Sequence, residues 1–200
     1  VVQVYGGPGA QAVRDQWRGA DWDQVLAHEG FVVWQMDNRG SAGRGHAFEK
    51  PLLGRFGKVE LADQIEGVRQ LVGMGFVDAA RVGMNGWSYG GYMTLQAMLN
   101  GGGVFRAGIS GAPVTDYRHY DTIYTERYLG LPQQNEEGYA ASAVVKDAGK
   151  LAGKLLLIHN FSDDNVLFQN MMRMTDALQQ AGKQYEFLLY PQKAHAVTGT

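Results

Sequence analysis

The sequence contains no cysteine among its 200 residues, which excludes disulfides, thiolate metal sites and a cysteine nucleophile. Neither a His-Glu-x-x-His motif nor carboxylates clustered with histidines at ligand spacing occur, so no metal or other cofactor is predicted. The formal net charge is only −2, and therefore no basic face for nucleic acid or an anionic membrane is expected. No apolar run approaches the roughly 18 residues that cross a bilayer, so no membrane segment is predicted in this chain.

Glycine is the residue type in excess. The 28 glycines are about twice the average share of roughly 7%. Because glycine permits positive φ angles and close backbone approach, we expect tight functional turns. Since 200 residues suffice for one domain with a substantial core, we expect residues 1–200 to form a single domain that is cut at both ends.

Short apolar, β-branched segments alternate with longer amphipathic ones, which is the pattern of βαβ units in a mostly parallel sheet. The predicted strands are residues 1–5, 31–36, 81–85, 107–111, 155–159 and 186–190. The predicted helices are residues 21–28, 59–72, 89–99 and 166–181. A glycine-rich stretch, 38–57, and a tyrosine-rich one, 113–132, are predicted as loops. The sequence therefore predicts an α/β fold with helices flanking the sheet.

One serine lies in a motif that is typical of a sharp strand-to-helix turn. Gly86-Trp87-Ser88-Tyr89-Gly90 is a G-x-S-x-G sequence between a predicted strand and a predicted helix. Such a turn strains the serine backbone, exposes its hydroxyl above the sheet edge and points a helix N-terminus at it. In a chain this rich in glycine, the pentapeptide would occur by chance in roughly one case in five or ten, as a plain turn. Its place between strand and helix identifies Ser88 as the predicted nucleophile.

A serine nucleophile needs a base and an orienting acid, which follow it in the order acid, histidine in α/β-hydrolases. Asp163 and Asp164 come after a buried predicted strand, and His195 follows the last one. We expect one aspartate to orient His195 while the other caps a helix. The alternatives are that both aspartates only cap the turn and that His195 is a surface residue. His159 is expected to make a structural hydrogen bond at its strand end.

Hydrolysis through an acyl-enzyme also needs donors for the developing oxyanion. The backbone N–H of Tyr89, the residue after the serine, is one predicted donor. The second is expected from the loop after the first predicted strand, which reads Tyr5-Gly6-Gly7-Pro8. Either a backbone N–H or the Tyr5 hydroxyl of that loop would serve.

Five segments resemble the prolyl oligopeptidase family, and most closely its dipeptidyl peptidase IV branch. They are residues 4–8 (Val-Tyr-Gly-Gly-Pro), 37–41 (Asp-Asn-Arg-Gly-Ser), 86–92 (Gly-Trp-Ser-Tyr-Gly-Gly-Tyr), 124–132 (Tyr-Thr-Glu-Arg-Tyr-Leu-Gly-Leu-Pro) and 162–166 (Ser-Asp-Asp-Asn-Val). The resemblance covers nearly the whole chain, and its tyrosine-rich part is more specific than the serine motif. It implies a partial α/β-hydrolase catalytic domain at residues 1–200, with the family's N-terminal β-propeller and last C-terminal helix outside this chain.

The resemblance also implies roles for individual residues. Ser88, Asp163 and His195 would form the triad, with Asp163 rather than Asp164 as the acid, and the Tyr5 hydroxyl would join the Tyr89 N–H at the oxyanion. An apolar pocket for proline at P1 would be lined by Val114, Tyr117, Tyr120, Tyr124, Val166 and the Tyr89 ring. Asn165 would bind the P2 carbonyl, and Arg127 would support the pocket. Proline is compact and has no N–H, so aromatic walls suit it. The alternative is that these tyrosines form a small core under a loop.

Two departures from the family pattern stand out. Tyr117 occupies a position where the branch more often has tryptophan, which alters one wall of the expected pocket. His195 lies in Lys-Ala-His-Ala-Val, whereas the family histidine usually has acidic or glycine neighbours.

The resemblance implies a serine exopeptidase that releases X-Pro dipeptides, and X-Ala dipeptides less well, through an acyl-enzyme. Its partners would be peptides with proline at the second position, not nucleic acid, and the intact protein would be a homodimer. It also implies a bacterial protein and favours the periplasm over the cytoplasm. One alternative is a prolyl oligopeptidase or acylaminoacyl peptidase, which accepts blocked amines. Another is a non-catalytic module that uses the hydrolase fold for binding.

Overall fold

The computed structural model describes residues 1–17 and 19–197. Within them, six parallel strands form one sheet in the order β2-β1-β3-β4-β5-β6. The strands are β1 (Val2–Gln3), β2 (Trp34–Gln35), β3 (Gly83–Trp87), β4 (Ala107–Gly111), β5 (Lys154–Asn160) and β6 (Glu186–Tyr190). The predicted parallel α/β sheet is confirmed. The first two strands are shorter than predicted, because only two residues of each pair in register with their neighbours.

The helices connect successive strands and flank the sheet. They are α1 (Trp22–His28), α2 (His46–Glu49), α3 (Lys58–Gly73), α4 (Tyr89–Asn100), α5 (Thr122–Leu129), α6 (Glu136–Ser142) and α7 (Gln169–Gln180). Short 3-10 turns cover Lys50–Leu52, Ala79–Arg81, Tyr117–His119 and Val145–Lys150. Buried apolar side chains of α3, α4 and α7 join those of the strands in one hydrophobic cluster. Burying each large aliphatic side chain in it contributes about 1.5–3 kcal/mol.

Both predicted loops contain helices, which corrects the prediction. Residues 38–57 include α2 and a 3-10 turn, both too short to show a helical period. Residues 113–132 include α5, whose N-cap Asp121 accepts the backbone N–H of Tyr124 at 2.7 Å. The helix α6 was not predicted either, although Asn135 caps it by accepting the N–H of Gly138. Aromatic residues and glycines masked both capping signals.

The strand order reverses beside β1, because the chain passes from β1 to β2 on one side and then to β3 on the other. In open α/β sheets, ligands bind at the carboxyl ends of the strands flanking such a switch point. Tyr5 comes just after β1, and Ser88 follows β3 directly. The topology therefore brings the two predicted site residues to the same edge of the sheet.

Helix α4 packs closely against the strands because its first turn has no side chains in the way. A Cβ atom on Gly90 would lie 2.1 Å from the carbonyl oxygen of Val4, and one on Gly91 would lie 2.2 Å from that of Gly111. Real Cβ atoms do not approach backbone oxygens so closely. These two glycines therefore determine how near the residue preceding the helix, Ser88, comes to β1 and β4.

Candidate active site

Ser88 occupies a strained turn between β3 and α4. Its φ of 61° and ψ of −119° lie outside the regions that residues with a Cβ normally adopt. Its backbone N–H donates to the carbonyl oxygen of Gly111 at 2.9 Å, which fixes the turn to the neighbouring strand. A Cβ atom on Gly86 would lie 2.4 Å from the carbonyl oxygen of Gly90, so the spacing of the motif glycines has a steric cause. Ser88 is half-buried and remains accessible.

Asp163 and His195 form a hydrogen-bonded pair at the ends of β5 and β6. Nδ1 of His195 lies 2.8 Å from Oδ2 of Asp163, whose side chain is buried, while the histidine side chain is 24% exposed. Because a carboxylate only accepts, Nδ1 carries a proton, and in the neutral imidazole Nε2 is then an acceptor. Asp164 is exposed. The structure therefore brings Asp163 to His195, as the family resemblance implies.

The second oxygen of Asp163 also has hydrogen-bond partners. This corrects the expectation that one aspartate contacts His195 while the other caps a helix. Oδ1 accepts the backbone N–H of Asn165 at 3.0 Å and that of Val166 at 2.9 Å. One carboxylate thus both contacts His195 and holds the turn, and α7 begins only at Gln169. The predicted start at residue 166 is wrong because the carbonyl oxygen of Val166 accepts from His159, while the N–H of Asn170 donates to the carbonyl oxygen of Leu167.

A second histidine approaches the same carboxylate. Nε2 of His159 lies 2.8 Å from the carbonyl oxygen of Val166 and 3.5 Å from Oδ2 of Asp163. The His159 side chain is fully buried, and its Nε2 carries a proton because a carbonyl oxygen only accepts. Burial alone would raise the pKa of Asp163, but hydrogen bonds from His159, His195 and the Asn165 N–H outweigh it and lower the pKa. Asp163 is therefore charged at neutral pH.

Two donors that the sequence did not reveal hold the backbone beside His195. Nε1 of Trp87, the residue before Ser88, donates to the carbonyl oxygen of His195 at 2.7 Å. The Asn160 side-chain amide, at the end of β5, donates to the carbonyl oxygen of Ala194. Trp87 is visible in the serine motif, but its partner lies 108 residues later, and no local pattern pairs an indole with a distant carbonyl. The Trp87 bond brings the histidine loop next to the serine turn.

Tyr5 lies on the opposite side of the serine turn. Its Cα would be 3.2 Å from a Cβ atom on Gly90, and its ring centroid is 6.1 Å from that of Tyr89. Burial, and to a lesser degree Tyr128, raise the pKa of Tyr5, so its hydroxyl keeps its proton at neutral pH. As the first residue of α4, Tyr89 has a backbone N–H with no preceding helical carbonyl to accept it. The two residues that carry the predicted oxyanion donors therefore lie close to the Ser88 turn.

The buried side chain of Asn38 holds the loop that carries Tyr5. The side-chain amide of Asn38 donates to the carbonyl oxygen of Gly6 at 3.0 Å, and its Oδ1 accepts from the Gln64 amide on α3 at 3.0 Å. Both side chains are buried. The Asp-Asn-Arg-Gly-Ser segment noted in the sequence thus supports the turn after β1.

Tyrosines of the segment 113–132 form a row of edge-to-face contacts. The ring centroids of Tyr117 and Tyr120 are 6.3 Å apart, those of Tyr120 and Tyr124 5.5 Å, and those of Tyr124 and Tyr128 5.2 Å. Tyr124 and Tyr128 lie four residues apart on one face of α5, whereas Tyr120 precedes the helix in an extended conformation. The Tyr120 hydroxyl donates to Oδ1 of Asn165 at 2.7 Å. The predicted pocket residue and the predicted P2 residue are therefore in contact.

The predicted pocket residues differ greatly in exposure. Four are at most 3% exposed, namely Tyr89, Val114, Tyr117 and Val166. Tyr120 and Tyr124 are half-buried and keep accessible surface. Arg127 is exposed, and its guanidinium makes no hydrogen bond or ion pair with the side chains and backbone of residues 1–17 and 19–197. The inner members thus belong to the core that the alternative interpretation described, while the outer two tyrosines present a surface beside Asn165.

Comparisons with known proteins test the family resemblance. The sequence model of the prolyl oligopeptidase family matches residues 18–200. The chain belongs to this family. It is 43% identical over 203 residues to dipeptidyl peptidase 8 of Mus musculus and to that of Homo sapiens, covering 98% of this chain and 23% of each relative. The structure of dipeptidyl peptidase 4 from Porphyromonas gingivalis superposes with a TM-score of 0.95 at 42% identity, covering 100% of this chain and 28% of that one.

The fold of this family member is the α/β-hydrolase fold, in agreement with the prediction. The chain spans about a quarter of the length of the relatives it matches, 23% and 28% of theirs. In the part of the chain that the structure describes, no group of three or more histidines and carboxylates is placed to hold a metal ion. Among the same residues, no helix is both long and apolar enough to cross a membrane.

A buried carboxyl beneath Tyr89 was also missed from the sequence. Oε1 of Glu60 accepts the Tyr89 hydroxyl at 2.6 Å and the backbone N–H of Gly57 at 2.8 Å. Burial raises the pKa of Glu60 despite these hydrogen bonds. Glu60, the third residue of α3, makes one half of a capping box by accepting the Gly57 N–H, but Gly57 has no side chain to make the other half. The hydrogen bond to Glu60 holds the Tyr89 ring in the core and not at the surface of a pocket.

Proposed function

We propose that this family member is a serine exopeptidase that releases N-terminal X-Pro dipeptides, and X-Ala dipeptides less well, through an acyl-enzyme. The observation that carries the proposal is the 2.8 Å contact between Asp163 and His195, on a loop held by Trp87 beside the strained Ser88 turn. The printed names of the relatives, which are dipeptidyl peptidases, support the dipeptide product. In this proposal residues 1–200 form part of a catalytic domain that works together with a β-propeller.

The proposed reaction begins with proton transfer from Ser88 Oγ to Nε2 of His195. The serine oxygen attacks the carbonyl carbon of the second residue, and the resulting oxyanion accepts hydrogen bonds from the Tyr5 hydroxyl and the Tyr89 N–H. His195 then returns its proton to the leaving amine as the C–N bond breaks. Water, activated by the same histidine, hydrolyses the ester and releases the dipeptide.

Asp163 acts electrostatically in this scheme. Its hydrogen bond fixes the tautomer of His195 with the proton on Nδ1, so that Nε2 can accept the serine proton. Because the pKa of Asp163 is lowered, the carboxylate stays charged and stabilises the imidazolium that forms. The Nδ1 proton therefore stays on the histidine and is not transferred to Asp163.

The proposed preference for proline rests on the accessible faces of Tyr120 and Tyr124. A proline ring lies flat against aromatic faces and brings no amide N–H that would need an acceptor. Because Oδ1 of Asn165 is engaged by the Tyr120 hydroxyl, its NH₂ group remains to donate to the P2 carbonyl. Arg127, which is exposed and lies on α5 together with Tyr124, is proposed to support this aromatic surface.

The decisive experiment uses the full-length protein with Gly-Pro-anilide and with the same compound N-acetylated. We expect cleavage of the free-amine substrate alone. Cleavage of the blocked substrate would instead favour the prolyl oligopeptidase or acylaminoacyl peptidase alternative. The matched variant Ser88→Ala should bind peptide without turnover, and undiminished turnover in it would overturn the triad. Peptide binding without any turnover in the unmodified protein would favour the non-catalytic binding module.

A further inference from the structure

The loop that carries His195 has little structure of its own. Residues 191–195 follow β6 without forming a helix or strand, and most of them are exposed. Ordering an exposed loop costs roughly 1–2 kcal/mol of backbone entropy per residue. A general base on such a loop needs fixed contacts if its imidazole is to meet both Asp163 and Ser88.

Two side chains from the rigid strands supply such contacts through the backbone of the loop. Trp87, the last residue of β3, donates its indole N–H to the carbonyl oxygen of His195 at 2.7 Å. Asn160, the last residue of β5, donates to the carbonyl oxygen of Ala194. Asn160 is fully buried, so packing restricts the movement of its side chain.

The Trp87 indole is itself held in place by the strand that orients Ser88. A Cβ atom on Gly111 would lie 1.9 Å from Cε3 of Trp87, so the ring rests directly on the β4 backbone. The carbonyl oxygen of the same Gly111 accepts the Ser88 N–H at 2.9 Å. One position on β4 therefore supports both the serine turn and the indole that reaches the histidine loop.

We propose that Trp87 and Asn160 are positioning residues for the general base. They hold the backbone of residues 194 and 195 so that the imidazole stays between Asp163 and Ser88. This inference rests on the proposed serine mechanism but not on the proposed peptide specificity. A displacement of about 1 Å in a reacting group can lower a rate by about 10²-fold.

The test is Trp87→Phe in the full-length protein, because phenylalanine keeps an aromatic ring on Gly111 and loses only the N–H donor. Two rates are measured: the labelling of Ser88 by a fluorophosphonate, which needs no peptide recognition, and the hydrolysis of Gly-Pro-anilide. We expect the labelling rate and kcat to fall by about 10²-fold with KM unchanged, since the loop and not the binding surface is displaced.

Trp34→Phe is the matched control. The indole Nε1 of Trp34 is buried and has no hydrogen-bond partner in the described residues, and Trp34 lies on β2, away from the histidine loop. The same chemical change there should leave both rates unaltered. Asn160→Leu is the second arm: it keeps the side-chain shape, removes the donor to Ala194 and should lower the labelling rate. The double variant should lose less than the product of the two effects, because both act on one loop.

Thermal unfolding of each variant shows that the rates belong to folded protein, and Asn160→Leu decides the question if Trp87→Phe does not fold. Labelling of folded Trp87→Phe at the rate of the unmodified protein would overturn the inference. So would a rise in KM with kcat unchanged, which would make Trp87 a substrate-binding residue. The unmodified protein could be labelled at Ser88 and yet fail to cleave Gly-Pro-anilide. The exopeptidase proposal would then fail, while the labelling rate of Trp87→Phe relative to the unmodified protein would still test the positioning role. No labelling of the unmodified protein would overturn both.

Discussion

The carboxylate of Asp163 contacts His195 with one oxygen, at 2.8 Å, and holds its own turn with the other. The side chain that is hydrogen-bonded to His195 is therefore also the one that shapes the end of β5. Because the pair is formed by two loops at adjacent strand ends, its geometry depends on the sheet and not on either loop alone.

Replacing Asp163 with asparagine tests the orienting role. The amide of Asp163→Asn would keep an oxygen for the N–H groups of Asn165 and Val166, but its NH₂ group would face Nδ1 of His195 and impose the wrong tautomer. We expect kcat to fall by about 10⁴-fold, measured with a chromogenic dipeptidyl anilide. Asp164→Asn, at the exposed neighbour, should leave kcat unchanged. Equal losses in the two variants would mean that Asp163 has no special part in catalysis.

The lowered pKa of Asp163 predicts a stability change at acidic pH. A carboxyl whose pKa is lower in the folded than in the unfolded protein stabilises the fold above its unfolded pKa of about 3.9, and this contribution is lost as the pH falls toward the folded value. The free energy of unfolding should therefore fall more steeply between about pH 5 and about pH 2 in the unmodified protein than in Asp163→Asn. Urea titrations across that range measure the difference. Parallel curves would contradict the linkage.

Tyr5→Phe removes only the hydroxyl that is proposed to bind the oxyanion. We expect kcat to fall by about 10²–10³-fold with little change in KM. Tyr185→Phe is a suitable control, since the Tyr185 hydroxyl is contacted by the exposed Gln179 amide, far from the serine turn. An effect confined to KM would show that Tyr5 only binds substrate.

Tyr120 and Tyr124 offer a matched pair for the binding surface. The Tyr120 hydroxyl donates to Asn165 at 2.7 Å, whereas the buried Tyr124 hydroxyl has no partner among the described residues. Tyr120→Phe should raise KM by up to about tenfold, the equivalent of one hydrogen bond of roughly 0.5–1.5 kcal/mol. Tyr124→Phe should leave KM nearly unchanged, and an increase as large as that of Tyr120→Phe would argue against a role for Asn165.

Gly91→Ala tests the close packing of α4. The new Cβ atom would lie 2.2 Å from the carbonyl oxygen of Gly111, so helix and strand must separate, at a cost of about 1–3 kcal/mol in the free energy of unfolding. Gly73→Ala, on α3 with no neighbour within 4 Å, should instead stabilise the helix by up to about 1 kcal/mol. Chemical denaturation compares the two. Equal changes in the free energy of unfolding would mean that the close contact between α4 and β4 does not contribute to stability.

Local chemistry made much of this protein predictable. The alternation of β-branched and amphipathic segments predicts the parallel sheet, because side-chain period and burial are properties of neighbouring residues. The strain of the Ser88 turn follows from the G-x-S-x-G spacing in the same way. Asp121 and Asn135 also cap helices by local hydrogen bonds, so α5 and α6 were predictable in principle and were masked by the aromatic and glycine content around them.

The sequence by itself thus determined the fold class, the serine turn and the set of residues able to serve as acid and base. Only the tertiary structure decided that one aspartate fills two roles, that Tyr89 is held in the core by Glu60, and that Trp87 reaches His195. The physical reason is distance along the chain: a hydrogen bond between residues 108 positions apart exists only after the sheet has brought two strand ends together, and no local pattern encodes that meeting.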